Sequence, residues 1–271
     1  MPGKKSSLMS YRVVIPARYS SLRLPGKPLR LLAGKTMLEH VYHRACQSGA
    51  EDVIIATDDP RIDEAAKSFN AHVCLTADTH TSGTERLAEV VSVCAFDDND
   101  IIVNLQGDEP LMPVACIEQV AQALQDNPQA QVSTLCARIH KSEEIFDPHI
   151  VKVVRDKNET ALYFSRAPIP WFQGKFDQRP AELSEQAEHY RHIGLYAYRA
   201  GYIKTYVNQS PAMMETVESL EQLRVLWHGG KIIVPEAVAV PGPGVDTEED
   251  LKKVEALLIE AGKQNPSFDY L

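Results

Sequence analysis

No run of apolar residues in this chain approaches the ~18 that a membrane-spanning helix requires. No apolar stretch follows Lys4 and Lys5, so residues 1–11 lack the pattern of a secretory signal and read as a loose tail, with Met9 a second candidate start. Basic residues are the minority. There are 28 Lys and Arg against 37 Asp and Glu, a net charge of −9. That balance excludes a general nucleic-acid binder, whose affinity rests on a basic surface. It also means that any anionic substrate must be met by a local cluster of cations. Cysteine is sparse and odd in number: Cys46, Cys74, Cys94, Cys116 and Cys136, with no C-x-x-C pair. Neither a disulfide framework nor a thiolate metal site follows from that spacing; buried reduced thiols in a reducing cytoplasm are the expectation. Internal repeats and low-complexity segments are lacking as well.

What remains is the composition of an ordered globular protein, with 44% hydrophobic and 24% charged residues among 271. A chain of this length buries roughly 75% of its unfolded surface and needs no metal or disulfide to fold. Short apolar runs alternate with amphipathic segments. Strands are predicted over 12–16 (RVVIP), 53–57, 72–76 and 101–105, and helices over 36–48, from Pro60 onward, over 84–94 and over 114–124. Thr36 and Asp59 stand where helix caps belong, and Pro60 suits a first turn. Continuous apolar strands alternating with helices predict a mostly parallel central sheet with helices on both faces, a Rossmann-like α/β fold.

The second half changes character. The runs 151–155 and 161–165 flank Asp156-Lys157-Asn158 as an antiparallel hairpin, and 173–189 reads as a mobile loop. A strand over 193–199, a helix over 215–226 and a strand over 231–234 follow. Thr247 and Asp250 form a capping box that opens a last helix over 248–260. The expected organisation is a single domain over 12–262 with an inserted antiparallel β region near 140–200, and tails over 1–11 and 263–271.

In open α/β sheets ligands sit beyond the carboxyl ends of the strands, and three motifs fall there. The first runs from Pro16 to Pro28 and places Arg18, Arg23 and Lys27 around a Pro25-Gly26 turn, a cationic loop suited to a polyphosphate. By itself such a cluster is equally readable as a solvated surface loop. Gly34-Lys35-Thr36 copies the end of a phosphate-binding P-loop, but Leu29 stands where its first glycine belongs. No G-x-G-x-x-G occurs. The second motif, Gln106-Gly107-Asp108-Glu109-Pro110, sets an acid at a strand end, where it can hold a metal or simply make a turn. The third, Gly244-Val245-Asp246-Thr247, puts Asp246 before the last helix, as a metal ligand or as a cap.

Taken together, I-P-A-R-Y-S-S-L-R-L-P-G-K-P-L, S-G-T-E-R, V-N-L-Q-G-D-E-P, A-L-Y-F-S-R-A-P-I-P, R-H-I-G-L-Y-A-Y-R, L-E-Q-L-R-V-L and G-V-D-T resemble the 3-deoxy-manno-octulosonate (Kdo) cytidylyltransferases over about residues 12–258. The first motif alone admits wider sugar nucleotidyltransferases. The motifs around Arg166, His192 and Glu221 are more specific. The resemblance implies transfer of CMP from CTP to the anomeric hydroxyl of Kdo for lipopolysaccharide assembly, with Mg²⁺ as cofactor, in a cytoplasmic homodimer. It implies that Arg18, Lys27, Asp108 and Asp246 are catalytic and that Asp108 and Asp246 share the metal. Arg18, Arg23, Lys27, Ser82, Gly83, Thr84 and Gln106 would bind CTP; Gln106, Arg166, His192 and Glu221 would bind the sugar. Arg166 as a brace of the hairpin and His192 as a core histidine are the competing structural readings. The family stretch reading A-D-H before S-G-T is altered here: aligned on Ser82, Thr79 takes the aspartate's place, His80 matches, and Asp78 falls one position early. Two rival functions are a cytidylyltransferase for a related acid sugar, such as an 8-amino analogue or a sialic acid, and a silent nucleotide-binding homologue. Lys27, Asp108 and Asp246 together in one chain speak against silence.

Overall fold

The computed structural model describes residues 10–21, 23–80, 82–177 and 188–264. The first half follows the predicted alternation closely. β1 (Arg12–Pro16) leads through a loop and a short 3₁₀ turn (Lys27–Leu29) to a two-stranded ribbon, β2 (Leu31–Leu32) and β3 (Lys35–Thr36). This ribbon contains the Gly34-Lys35-Thr36 segment. Then come α1 (Met37–Gln47), β4 (Asp52–Thr57), α2 (Pro60–Ser68), β5 (His72–Leu75), α3 (Gly83–Val93), β6 (Ile101–Asn104) and α4 (Val114–Asp126). Thr36 caps α1 by accepting the Glu39 amide at 3.2 Å, and Asp59 caps α2 through the Arg61 amide at 2.9 Å. The second half adds β7 (Val132–Arg138), α5 (Ser142–Phe146), β8 (Lys152–Arg155), β9 (Ala161–Ser165), β10 (Tyr190–Arg199), α6 (Ala200–Tyr206), α7 (Met213–Glu218), α8 (Gln222–Trp227), β11 (Ile232–Ile233) and α9 (Glu248–Gln264).

The main sheet runs β11-β7-β10-β6-β1-β4-β5, and every strand on this path except β10 points the same way. Period-two alternation sorts the strands onto two cores. Val13, Ile15, Ile55 and Val103 face α1, α2 and α4, whereas Val14, Ile54 and Ile102 face α3, α6 and α8. These side chains are fully buried, each contributing about 1.5–3 kcal/mol. Helices therefore cover both faces of a sheet that is mostly parallel, as the run of apolar strands predicts.

Several expectations are corrected here. β7 is not signalled by its sequence, yet it lies inside the sheet between β10 and β11. The antiparallel region expected near 140–200 is present as β8, β9 and β10, and β10 reaches into the main sheet: it lies antiparallel between β6 and β7, and only its first residues also pair with β8. The predicted helix over 215–226 is two helices, because Ser219 turns left-handed at φ 53° between α7 and α8. Tyr11, assigned to the tail, is 1% exposed and its hydroxyl donates to the Ser48 carbonyl. Of the loop predicted over 173–189, residues 178–187 lie outside the described residues. Its start is anchored by Phe176, buried against Phe146 and Trp171.

Candidate active site

The loop after β1 is shaped by contacts that its sequence dictates. Gly26 adopts φ 65°, a left-handed conformation that favours glycine, and its amide donates to the Tyr19 carbonyl at 3.2 Å. Leu24 plugs into a small apolar cluster with Val245, Leu251, Val254 and Leu258. That packing brings the first loop against the segment before α9. In the turn after the neighbouring β6, Gly107 lets the chain pass close to β1: a Cβ there would lie a tight 3.2 Å from the Pro16 carbonyl. The Val245 amide donates to the Asp108 carbonyl at 2.9 Å. One backbone hydrogen bond thus joins the two acidic motifs.

The result is a convergence of charges. The Lys27 ammonium donates to Asp108 Oδ2 at 2.6 Å and to Asp246 Oδ1 at 2.9 Å, and Arg23 Nη2 reaches the same Asp246 oxygen at 2.9 Å. Burial alone would pull the Lys27 ammonium down, but the Asp108 and Asp246 carboxylates outweigh it and hold it above its ordinary value. Asp246 does not act as a helix cap: Thr247 Oγ1 accepts the Asp250 amide at 3.2 Å, and Asp250 returns the bond to the Thr247 amide at 3.0 Å. These groups line a cleft of about 470 Å³ with Arg18, Ser20, Ser21, Gln106 and Gly107.

A second cleft of about 340 Å³ adjoins it, with Arg18 and Gln106 in both walls. Ser82, Gly83 and Thr84 form the start of α3 on one side, where Ser82 accepts the Glu85 amide at 3.2 Å. Glu221 faces them and accepts the Thr84 hydroxyl at 3.1 Å; burial pushes its carboxyl up, which the Thr84 bond partly opposes. Its position follows from the break at Ser219, which sets Glu221 at the head of α8 instead of inside a continuous helix. Tyr196, Tyr198 and Tyr206 complete the wall. Two buried atoms in this lining, Asn104 Oδ1 and Gln222 Nε2, have no hydrogen-bond partner among the described residues. Such atoms suit a polar ligand.

Two predicted sugar residues stand apart from this arrangement. The Arg166 guanidinium donates to the Glu218 carbonyl at 2.7 Å and the Pro148 carbonyl at 3.0 Å, which makes it a brace of the hairpin. It lines neither of the two clefts. His192 pairs with Thr134 Oγ1 at 3.0 Å and packs on Phe164 and Tyr196. Burial holds its imidazole neutral, pulled down to about 3. The unfolded chain binds a proton near pH 6.5 that the folded chain refuses, so stability is full above that pH and is lost as pH falls from 6.5 toward 3. The loss is about 1.4 kcal/mol per unit across that window. A pH series of melting temperatures should fall below pH 6.5 for the parent and much less for His192→Gln; parallel curves would contradict the assignment.

One acidic residue escaped the sequence reading. Glu109, next to Asp108, is pushed up to about 7 by burial, with Asp108 and Asp246 adding to the effect and Lys27 opposing it. Its Oε1 lies where a Cβ on Gly244 would come within 3.0 Å, so Gly244 makes room for it. The altered stretch before Ser82 is clamped from α3: Glu89 accepts the Ala77 amide at 2.8 Å and bonds the His80 ring. Thr79 is exposed in a turn.

The profile of the cytidylyltransferase family matches residues 12–232. A 3-deoxy-manno-octulosonate cytidylyltransferase from Photobacterium profundum is 54% identical over 250 residues, 92% of this chain and 100% of its own length. This chain belongs to that family. A relative of the same name from Pasteurella multocida is 52% identical over 257 residues, 93% of this chain and 99% of its own. A solved CMP:2-keto-3-deoxy-manno-octonic acid synthetase complexed with CTP superposes with a TM-score of 0.84 at 43% identity, covering 93% of this chain and 99% of that one. A cytidylyltransferase from Leptospira borgpetersenii, 16% identical with a TM-score of 0.58, shares the fold. Within a family of cytidylyltransferases, the paired clefts acquire a plain division of labour to test.

Proposed function

We propose that the chain transfers CMP from CTP to the anomeric hydroxyl of 3-deoxy-manno-octulosonate, releasing pyrophosphate and supplying an activated acid sugar for lipopolysaccharide biosynthesis. The observation that carries this reading is the Lys27 ammonium held between Asp108 and Asp246 under a loop bearing Arg18 and Arg23. In a chain of net charge −9, this is a local cationic patch of the kind a triphosphate needs. The sugar oxygen forms the new bond to the α-phosphorus, the bond from that phosphorus to pyrophosphate breaks, and the hydroxyl proton is given up to solvent. Positioning and charge stabilisation suffice for such a transfer, and no nucleophilic side chain is called for.

The donor set of Asp108 and Asp246 suits Mg²⁺. It consists of oxygen alone, and among the described residues no cluster of three or more His, Cys, Asp or Glu forms a closed cage. Mg²⁺ characteristically takes one or two carboxylates together with phosphate oxygens and water. Bound there, it would draw charge from the α-phosphorus and from the attacking hydroxyl. Lys27, Arg18 and Arg23 neutralise the phosphates, and Gln106 stands between the clefts to contact both substrates. The Ser82-Gly83-Thr84 turn takes the cytosine edge, while Glu221 borders the sugar; His192 acts from behind the wall through Tyr196, on which it packs, and Arg166 holds the hairpin. A cytoplasmic homodimer belongs to the same proposal: the five free cysteines, three of them buried, suit a reducing compartment. The outer edge of β9 carries Leu162, 60% exposed, at a place where a second copy can pair.

A pyrophosphate-release assay tests the reading. CTP with Kdo should support turnover well above UTP or ATP with Kdo, and above CTP with an 8-amino analogue or a sialic acid. Equal turnover with UTP would reject the nucleotide assignment. A faster reaction with another ulosonate would transfer the activity to that sugar.

A further inference from the structure

Lys27 works only if the turn that carries it is held in place, and that turn has no regular structure on its amino-terminal side. The structure contains a device for holding it. The ring of Tyr19 lies against Gly26 so closely that a Cβ at Gly26 would come 3.2 Å from its Cζ and hydroxyl oxygen. The guanidinium of Arg61 stacks 3.3 Å from the ring centroid, and the ring also packs on the core cluster that holds Val13 and Ile15. That guanidinium is itself fixed by Asp59, which accepts its Nε at 2.9 Å and its Nη2 at 2.6 Å while capping α2. The Tyr19 carbonyl takes the Gly26 amide, and the Lys27 amide bonds the Leu24 carbonyl at 3.1 Å. Tyr19 is therefore a wedge between the start of α2 and the turn whose next residue reaches both carboxylates.

We propose that Tyr19 is a positioning residue for Lys27, setting the height of the Gly26–Lys27 turn so that the ammonium stands between Asp108 and Asp246 at the phosphate end of the cleft. The inference rests on the nucleotide site proposed above. Tyr19 touches no reacting group itself. Without the ring, the space beside Gly26 opens and the turn loses its stop. Phenylalanine keeps the stack on both sides and should keep the position. The arginine plate matters less, because the glycine side of the ring remains packed without it.

Calorimetric titration of the full chain with CTP in the presence of Mg²⁺ tests this through a double-mutant cycle. Lys27→Met should weaken CTP binding by about 10- to 100-fold, as expected for loss of a charge-assisted contact. Tyr19→Ala should weaken it about 10-fold, and Tyr19→Ala combined with Lys27→Met should bind no more weakly than Lys27→Met alone, because the tyrosine acts through the lysine. Tyr19→Phe should lie within about twofold of the parent, since ring stacking is retained. Arg61→Ala, on an exposed helix start where folding is not at risk, should lose about two- to threefold and should lose nothing further in the Lys27→Met background. If Tyr19→Ala fails to fold, the Arg61→Ala cycle decides. Losses that multiply in the double variants, parent-like binding by Tyr19→Ala, or a Phe variant as weak as the Ala variant would overturn the inference alone. Parent-like CTP binding by Lys27→Met would instead bring down the nucleotide site, and the inference with it.

Discussion

Replacing Asp246 with Asn is expected to lower Mg²⁺-dependent turnover by the order of 10²–10³-fold while leaving the melting temperature almost unchanged. The two halves of that result have separate causes. The Asn side chain keeps the shape and can still accept from Lys27, and the cap of α9 belongs to Thr247 and Asp250. Folding therefore has little to lose. Catalysis loses a full charge that, with Asp108, balances Lys27 and, in the proposed site, would offer oxygen to the metal. Asp108→Asn should cost a similar factor. In the proposed site both carboxylates serve one cation, so the double variant should be little worse than the poorer single one. Multiplying losses would mean that the two act separately, and near-normal turnover by Asp246→Asn would remove it from the metal site.

Lys27→Met should be the second severe variant, losing turnover by about 10²-fold through the missing phosphate contact. The side chain is 13% exposed, whereas Asp108 and Asp246 keep 36% and 50% of their exposure. Water can therefore solvate the carboxylates once the ammonium is gone, and the variant should fold. Their mutual repulsion is then opposed only at Asp246, by the exposed Arg23, however. Added Mg²⁺ should consequently raise the melting temperature of Lys27→Met more than that of the parent. An equal response in both proteins would show that the lysine and the metal do not share the carboxylate pair.

The first half of the fold was readable because local chemistry and tertiary position agree there. Thr36 and Asp59 cap as their residue types predict, and the alternation of Val13, Val14 and Ile15 matches two covered faces. β7 was unreadable because its polar residues look like surface. Ser133 and Thr134 are fully buried, with Ser133 donating to the Val120 carbonyl at 2.6 Å and Thr134 to the Ile193 carbonyl at 2.9 Å. Those partners come from other parts of the chain, and no local pattern announces them. The same holds for Ser219, whose left-handed turn breaks a continuous helical periodicity. At the site, the loops carrying Lys27, Asp108 and Asp246 were legible as motifs. Glu109 was not, because its burial depends on the distant Gly244. Arg166 was legible as a cation, but its carbonyl partners at Pro148 and Glu218 become visible only in three dimensions.

The hydrogen bond from the Val245 amide to the Asp108 carbonyl has a consequence for how this protein comes into being. Asp108 is made with β6, whereas Asp246 follows 138 positions later (246 − 108), after the last strand of the main sheet. A nascent polypeptide can assemble most of the sheet and both walls of the second cleft while still lacking Asp246. On the proposed assignment, activity waits for Asp246. A product cut short before Asp246 would carry Lys27 and Asp108 without the second aspartate of the pair.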